Sequence, residues 1–141
     1  MGTRDIVIDT NILVSAQRSR RGASSKLLSL MGEDHFKSHI SVPLVLEYEA
    51  VLMRERHALA LTADEVSAIV DAMCRLSQWH EIHYLWRPTL PDEKDEMILE
   101  LAVKAGSANI ITYNVRDYRG VDQFGIEVKT PKVFLEQIRV I

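Results

Sequence analysis

Asp9 follows the apolar run Ile6-Val-Ile8 and leads into Thr10-Asn11. A buried strand that ends on an acid, a hydroxyl and an amide places its first charged group at the carboxyl edge of a sheet, where open α/β folds bind ligands. Three further acids stand where a parallel sheet would bring them to the same edge. Glu47 lies one turn into a helix opened by Pro43, Asp95 lies in the first turn of a helix capped by Asp92, and Asp117 follows a strand ending at Thr112. Asp95 precedes Ile98 by three residues and Ala102 by seven, which sets it on the inward stripe of its helix. An acid on an apolar stripe is out of place unless something binds it. Glu49 competes with Glu47 on the other flank of its stripe. Glu47 is nearer the helix start and therefore nearer the edge.

Four carboxylates gathered in one cleft repel one another and cannot all stay ionised without a cation. Oxygen ligands without cysteine or a placed histidine suit Mg²⁺ or Mn²⁺ rather than Zn²⁺, as one ion or two. Such an ion lowers the pKa of a bound water and shields phosphate charge, which phosphodiester hydrolysis requires. No side-chain nucleophile is then needed. Asp9 also suits a helix N-cap, a role compatible with ligation.

The elements that must position these acids follow from the pattern. Arg4 to Asp9 reads as a strand and Asn11 to Ala16 as a helix, interrupted by a basic turn from Arg18 to Gly22. Ala23 to Met31 reads as helix and Phe36 to Ser41 as strand. The next helix opens at Ser41-Val-Pro43 and carries Leu44, Val45, Tyr48, Val51 and Leu52 on its apolar stripe. Thr62 and Glu65 form a capping box for a helix reaching Gln78. His80 to Leu85 reads as a strand and Pro88 to Pro91 as a loop. A helix runs from Asp92 to Ala105 and stops at Gly106. Asn109 to Thr112 and Ile126 to Val128 read as strands, with a loop or short helix between Tyr113 and Gly120. Thr130-Pro131 caps a last helix. Strands alternating with helices predict an α/β fold of three layers, α/β/α, around a parallel sheet of about five strands in a single domain spanning residues 1–141.

Composition sets outer bounds. Hydrophobic residues make up 47% and charged residues 26% of the 141, the signature of a globular chain with a real core. A net charge of −3 argues against a polycationic nucleic-acid coat but leaves room for local basic patches. Cys74 is the single cysteine, so no internal disulfide forms and a reducing, cytoplasmic compartment is expected. Cys74 lies between Met73 and Leu76 and reads as an inert buried thiol. No apolar run approaches the roughly 20 residues that span a bilayer, and no signal-peptide pattern opens the chain.

Four stretches together resemble the PIN domain, the nuclease fold of VapC-type toxins. They are Val7-Ile-Asp9-Thr-Asn-Ile-Leu-Val-Ser15, Gly22-Ala-Ser-Ser-Lys-Leu-Leu28, Ser41-Val-Pro-Leu-Val-Leu-Glu47-Tyr-Glu-Ala-Val-Leu52, and Asp95 to Gly106 with Ile111-Thr-Tyr-Asn-Val-Arg-Asp117-Tyr118. The resemblance implies that Asp9, Glu47, Asp95 and Asp117 are catalytic metal ligands and that Thr10, Asn11, Thr112 and Asn114 support them. It implies Mg²⁺- or Mn²⁺-dependent cleavage of single-stranded RNA, a dimeric toxin, and an antitoxin whose segment enters the active-site groove. Two departures stand out. Lys94 interrupts the acid run Asp92-Glu-Lys-Asp95, and Asn114 stands where many relatives carry Asp.

Arg18, Arg20, Arg21 and Arg116 are candidate phosphate contacts. Tyr113 is a candidate base-stacking platform, while Trp79 and Trp86 better suit core or dimer packing. His80 and His83 would face opposite sides of a strand, so they do not share a metal. The competing class is a PIN scaffold that binds RNA or protein without cutting. A receiver-type phosphoryl-transfer domain lacks its acid pair and late lysine here, and a dinucleotide binder lacks its glycine-rich turn.

Overall fold

The computed structural model describes residues 4–82, 90, 92–106 and 108–141. Strand β1 (Arg4–Ile8) leads into helix α1 (Thr10–Arg18) and helix α2 (Ala23–Ser29). Strand β2 (Phe36–Ser41), helix α3 (Val42–Glu55), helix α4 (Ala63–Arg75) and strand β3 (Ser77–His80) follow. Helix α5 (Glu93–Lys104), strand β4 (Asn109–Ile111), two 3-10 turns (Val115–Tyr118 and Val121–Phe124), strand β5 (Val128–Lys129) and helix α6 (Pro131–Gln137) complete the chain. The strands form one parallel sheet in the order β3-β2-β1-β4-β5. The fold is three-layer α/β/α, as the alternation of strands and helices requires.

The chain builds outward from β1 through β2 to β3, then returns to add β4 on the other side of β1. The order therefore reverses between β1 and β4. The crevice beyond the carboxyl ends of those two strands is the topological switch point, the favoured ligand position in such sheets. β1 is fixed there by burial. Ile6, Val7 and Ile8 are fully covered, each contributing roughly 1.5–3 kcal/mol. Its end is pinned to β4 by the Asp9 N–H, which donates to the Ile111 carbonyl at 2.9 Å.

The helix starts follow the sequence closely. Asp9 caps α1, Ser41 caps α3 with Pro43 in the first turn, and Thr62 and Glu65 form a reciprocal capping box on α4. Asp92 caps α5 through the Lys94 N–H, and Thr130 caps α6. Three boundaries differ from expectation. Helix α1 runs without interruption to Arg18, so that residue belongs to the helix and not to the basic turn. Helix α4 ends at Arg75, and the strand expected over His80 to Leu85 instead begins at Ser77. Pairing with β2 takes over there, with Ser77 Oγ donating to Ser38 Oγ at 3.1 Å. No glycine or proline marks that stop in the sequence. The strand expected over Ile126 to Val128 forms at Val128–Lys129, in register with Ile110 and Ile111.

Residues His83 to Leu85, Trp86 and most of the expected loop from Pro88 to Pro91 lie outside the described residues. Trp79 is 50% exposed on the edge strand, so it is not a core residue. Cys74 is half-buried rather than buried, with its thiol pushed up mainly by desolvation. A chain of side chains ties three strands together. His39, 4% exposed, places Nε2 2.8 Å from Asp5 Oδ1 and Nδ1 2.7 Å from His80 Nε2. An ionised Asp5 can only accept, so His39 Nε2 carries the proton and His39 Nδ1 accepts from His80. No helix among the described residues is long and apolar enough to cross a membrane.

Candidate active site

Asp9 sits at the switch point with both oxygens engaged. Oδ1 accepts from the Thr10 N–H at 2.7 Å, and Oδ2 accepts from Thr112 Oγ1 at 2.8 Å and faces the Tyr118 hydroxyl at 3.2 Å. Thr112 is fully buried at the end of β4, and its hydroxyl has no freedom in where it donates. It accepts from Asn11 Nδ2 at 3.1 Å and from the Asn114 N–H at 3.0 Å. Both lone pairs are used, so its one proton is aimed at Asp9. Asn11 also takes the Tyr113 N–H on Oδ1 at 3.3 Å, which locks the start of α1 to the loop after β4. Burial raises the Asp9 carboxyl above its ordinary range. The bonds from Thr112, Thr10 and Tyr118 oppose that rise, and the charge of Glu47 adds to it.

Asp95 reaches the same place from the first turn of α5. Its Oδ1 lies 3.1 Å from the Tyr118 hydroxyl, and its carboxyl is pushed up to about 6. Desolvation is the main cause. The Tyr118 bond opposes it, and the charges of Asp9, Asp92 and Asp117 reinforce it. The inward position follows from the helix itself, whose residues Met97, Ile98, Leu101 and Ala102 are buried.

A cleft of about 710 Å³ opens over these groups and takes in Glu47 and Asp117 as well. The Glu47 side chain is 18% exposed on α3, 3.5 Å from the Lys94 ammonium. Glu49 is exposed and does not line the cleft. Asp117 stands at the exposed rim on the first 3-10 turn. Asn114 lines the cleft too, and Thr10 lines it while its buried hydroxyl has no hydrogen-bond partner among the described residues. Thr10 thus supports Asp9 through its backbone and not through its hydroxyl.

The candidate RNA contacts divide. Arg18 and Tyr113 line the cleft, whereas Arg20, Arg21 and Arg116 do not. Arg116 instead borders two smaller pockets beside the first 3-10 turn. The Tyr113 ring is 45% exposed, and its hydroxyl is tethered to Ser24 Oγ at 2.6 Å.

As they stand, no three His, Cys, Asp or Glu side chains among the described residues gather closely enough to hold a metal ion. The donor set still fits a hard divalent cation in kind. It offers carboxylate oxygens whose ionised forms are disfavoured, and the unpartnered Thr10 hydroxyl is an orphan of the sort an ion or its water satisfies.

The family model for the PIN domain matches residues 5–116. The chain belongs to the PIN domain family. PIN domains of the VapC kind are nucleases of toxin–antitoxin systems. Among curated proteins, none matches in sequence. Two solved structures share the fold. VapBC2 from Rickettsia felis, bound to a DNA fragment from their promoter, aligns at TM-score 0.60 with 14% identity, over 88% of this chain and 98% of that one. VapBC-1 from nontypeable Haemophilus influenzae aligns at TM-score 0.54 with 12% identity, over 91% and 98%.

Two residues that line this PIN-domain cleft and one buried beside it escape sequence reasoning. Tyr118 is 2% exposed and reaches both Asp9 and Asp95. Lys94 reads as a mere interruption of the acid run, yet pairs with Glu47. Arg54 lines the cleft with Glu47 and Val51. The spacing of these three, at i, i+4 and i+7 on one helix, is a signal that could have found Arg54.

Proposed function

We propose that this PIN domain is a metal-dependent endoribonuclease that hydrolyses phosphodiesters of single-stranded RNA as the toxin of a toxin–antitoxin pair. One observation carries the reading. Asp9 from the end of β1 and Asp95 from the start of α5 both line the switch-point cleft and converge on a single buried hydroxyl, that of Tyr118. Asp9 and Asp95, with Glu47 and Asp117, would hold Mg²⁺ or Mn²⁺. When bound, the ion supplies a water of lowered pKa and shields the phosphate charge.

The chain's own residues do the rest. Thr112, fixed by Asn11 and Asn114, orients Asp9. Tyr118 keeps Asp9 and Asp95 facing each other. Arg18 and Arg54 present guanidinium groups at the cleft wall for backbone phosphates. The exposed Tyr113 ring offers a face on which an unpaired base stacks. Arg20, Arg21 and Arg116 would meet the strand only beyond the cleft. An antitoxin segment would occupy the same cleft, and the toxin would act as a homodimer in the cytoplasm.

A second reading, a PIN scaffold that binds RNA or protein without cutting, is favoured by the Lys94–Glu47 pair and by the lack of a gathered ligand trio among the described residues. One experiment separates the two. End-labelled unstructured RNA is incubated with the protein and Mn²⁺ or Mg²⁺. The nuclease reading expects cleavage that stops with EDTA and is lost in Asp9→Asn and Asp95→Asn. RNA retention without cleavage by the parent protein, with either ion, supports the scaffold.

A further inference from the structure

Among the described residues, Lys94 is the one lysine lining the cleft. Its N–H donates to Asp92 Oδ1 at 2.9 Å, which fixes it within the first turn of α5. From there its ammonium crosses to Glu47 on α3, with Nζ 3.5 Å from Oε1. This is not a solvent-washed pair on both sides, because the Glu47 side chain is only 18% exposed. The four acids at the proposed site are therefore unequal. Asp9 and Asp95 share a hydroxyl, Asp117 stands exposed at the rim, and Glu47 already has a cation.

A divalent ion that drew on Glu47 would have to displace the Lys94 ammonium.

We infer that Lys94 is the resident second cation of this site, so that the cleft takes a single divalent ion on the Asp9–Asp95 side. The inference rests on the cation-site reading above. Lysine is suited to the role, being a compact point charge on a flexible stem. It can leave Glu47 and stand beside a phosphate oxygen, the place a second ion occupies in two-ion clamps.

Isothermal titration of the full chain with Mn²⁺ tests this without reference to activity. The parent protein is expected to bind one ion per chain. Lys94→Met, which keeps the aliphatic stem of a side chain that is 60% exposed, is expected to bind a second ion or to bind Mn²⁺ roughly tenfold tighter, the scale on which groups around a metal tune affinity. Lys94→Arg keeps the charge and is expected to return the stoichiometry to one. Circular dichroism melts establish that each variant is folded. Two ions on the parent, or a Lys94→Met variant with the parent's stoichiometry and affinity, overturn the role of Lys94 alone. A parent that binds no Mn²⁺ overturns the cation-site reading together with it.

Discussion

Asp9 and Asp95 share a single proton donor. The Tyr118 hydroxyl stands 3.2 Å from Asp9 Oδ2 and 3.1 Å from Asp95 Oδ1. A phenol has one proton, so it satisfies one carboxylate fully and leaves the other short. Desolvation by burial is the main reason the Asp95 carboxyl is pushed up to about 6; the Tyr118 bond opposes it, and the charges of Asp9, Asp92 and Asp117 add to it.

Asp95→Asn follows from this directly. At pH 8 without metal, the ionised Asp95 is a cost to the fold that the neutral amide does not carry. The variant is expected to melt a few degrees higher than the parent, as often happens when a strained functional group is removed. Its cleavage of RNA falls to background. Paired melting curves in EDTA at pH 8 check the first outcome, and a variant that melts lower would show that the carboxylate is well accommodated.

Tyr118→Phe keeps the buried ring and removes only the bridge. Hydrogen bonds to charged groups contribute about 1.5–3 kcal/mol, so the metal-free variant should melt below the parent. The deficit is expected to shrink when Mn²⁺ is added, because the two carboxylates then have a cation in place of the hydroxyl. A deficit that is the same with and without Mn²⁺ would assign Tyr118 to packing alone.

Glu47 and Glu49 flank one helical stripe, and of the two it is Glu47 that lines the cleft. Glu47→Gln should reduce kcat for RNA cleavage strongly, while Glu49→Gln leaves it within twofold or so, as expected of an exposed side chain away from the site. Single-turnover assays of the two variants decide it. Comparable losses in both would mean that the cleft is not where the chemistry occurs.

Much of this arrangement is legible in the sequence for a local reason. Asp9 closes an apolar run, Asp95 sits in a capped first turn on an inward stripe, and parallel topology sends both to one edge. Asn11 lies two residues after Asp9, whereas Thr112 and Asn114 stand far from both acids in sequence and are marked as supports only by the family resemblance. What escapes is what depends on distant partners. Nothing near Tyr118 says that its hydroxyl will lie between acids from two other elements, and nothing near Lys94 points to Glu47 on another helix. The start of β3 at Ser77 escapes for the same reason, since pairing with β2 and not local propensity ends α4 there. Arg54 is different, because its spacing from Glu47 is readable on the helix.

The Asp5–His39–His80 chain gives the fold a pH dependence of its own. Burial is the first cause that lowers the His80 pKa below 6.5. The neighbouring His39 and Lys104 act the same way, and Asp5 opposes them. Between the folded pKa and about 6.5 the unfolded chain binds more protons than the folded one. This contribution to stability is therefore full above about 6.5 and is lost as pH falls from there through the folded pKa. Asp95, with its raised carboxyl, acts in the opposite sense at lower pH, so the parent's profile alone is not diagnostic. His80→Gln keeps a side-chain donor toward His39 and removes the titration. Subtracting its urea-derived stabilities from the parent's at pH 5 to 8 should leave a difference that grows in the parent's disfavour toward acid. A difference that is flat with pH would mean that His80 titrates alike in both states.

Tyr48 links the helix that carries Glu47 to the strand that carries Asp9. It is wholly buried on α3, and its hydroxyl donates to the carbonyl of Ile8, the residue before Asp9. Phenylalanine fills nearly the same volume, so Tyr48→Phe isolates the hydrogen bond. Leaving a buried carbonyl without this donor costs about 1–3 kcal/mol, and the melting temperature should drop by several degrees at this chain length. The consequence for chemistry is separate from stability. With the tie gone, α3 is free to drift from β1, and Glu47 loses its fixed position relative to Asp9. Below the variant's melting transition kcat should fall while KM for RNA stays near the parent value, since Tyr48 does not line the cleft. If kcat is unchanged at a temperature where Tyr48→Phe is fully folded, the bond supports the fold alone and the placement of Glu47 is set by the rest of α3.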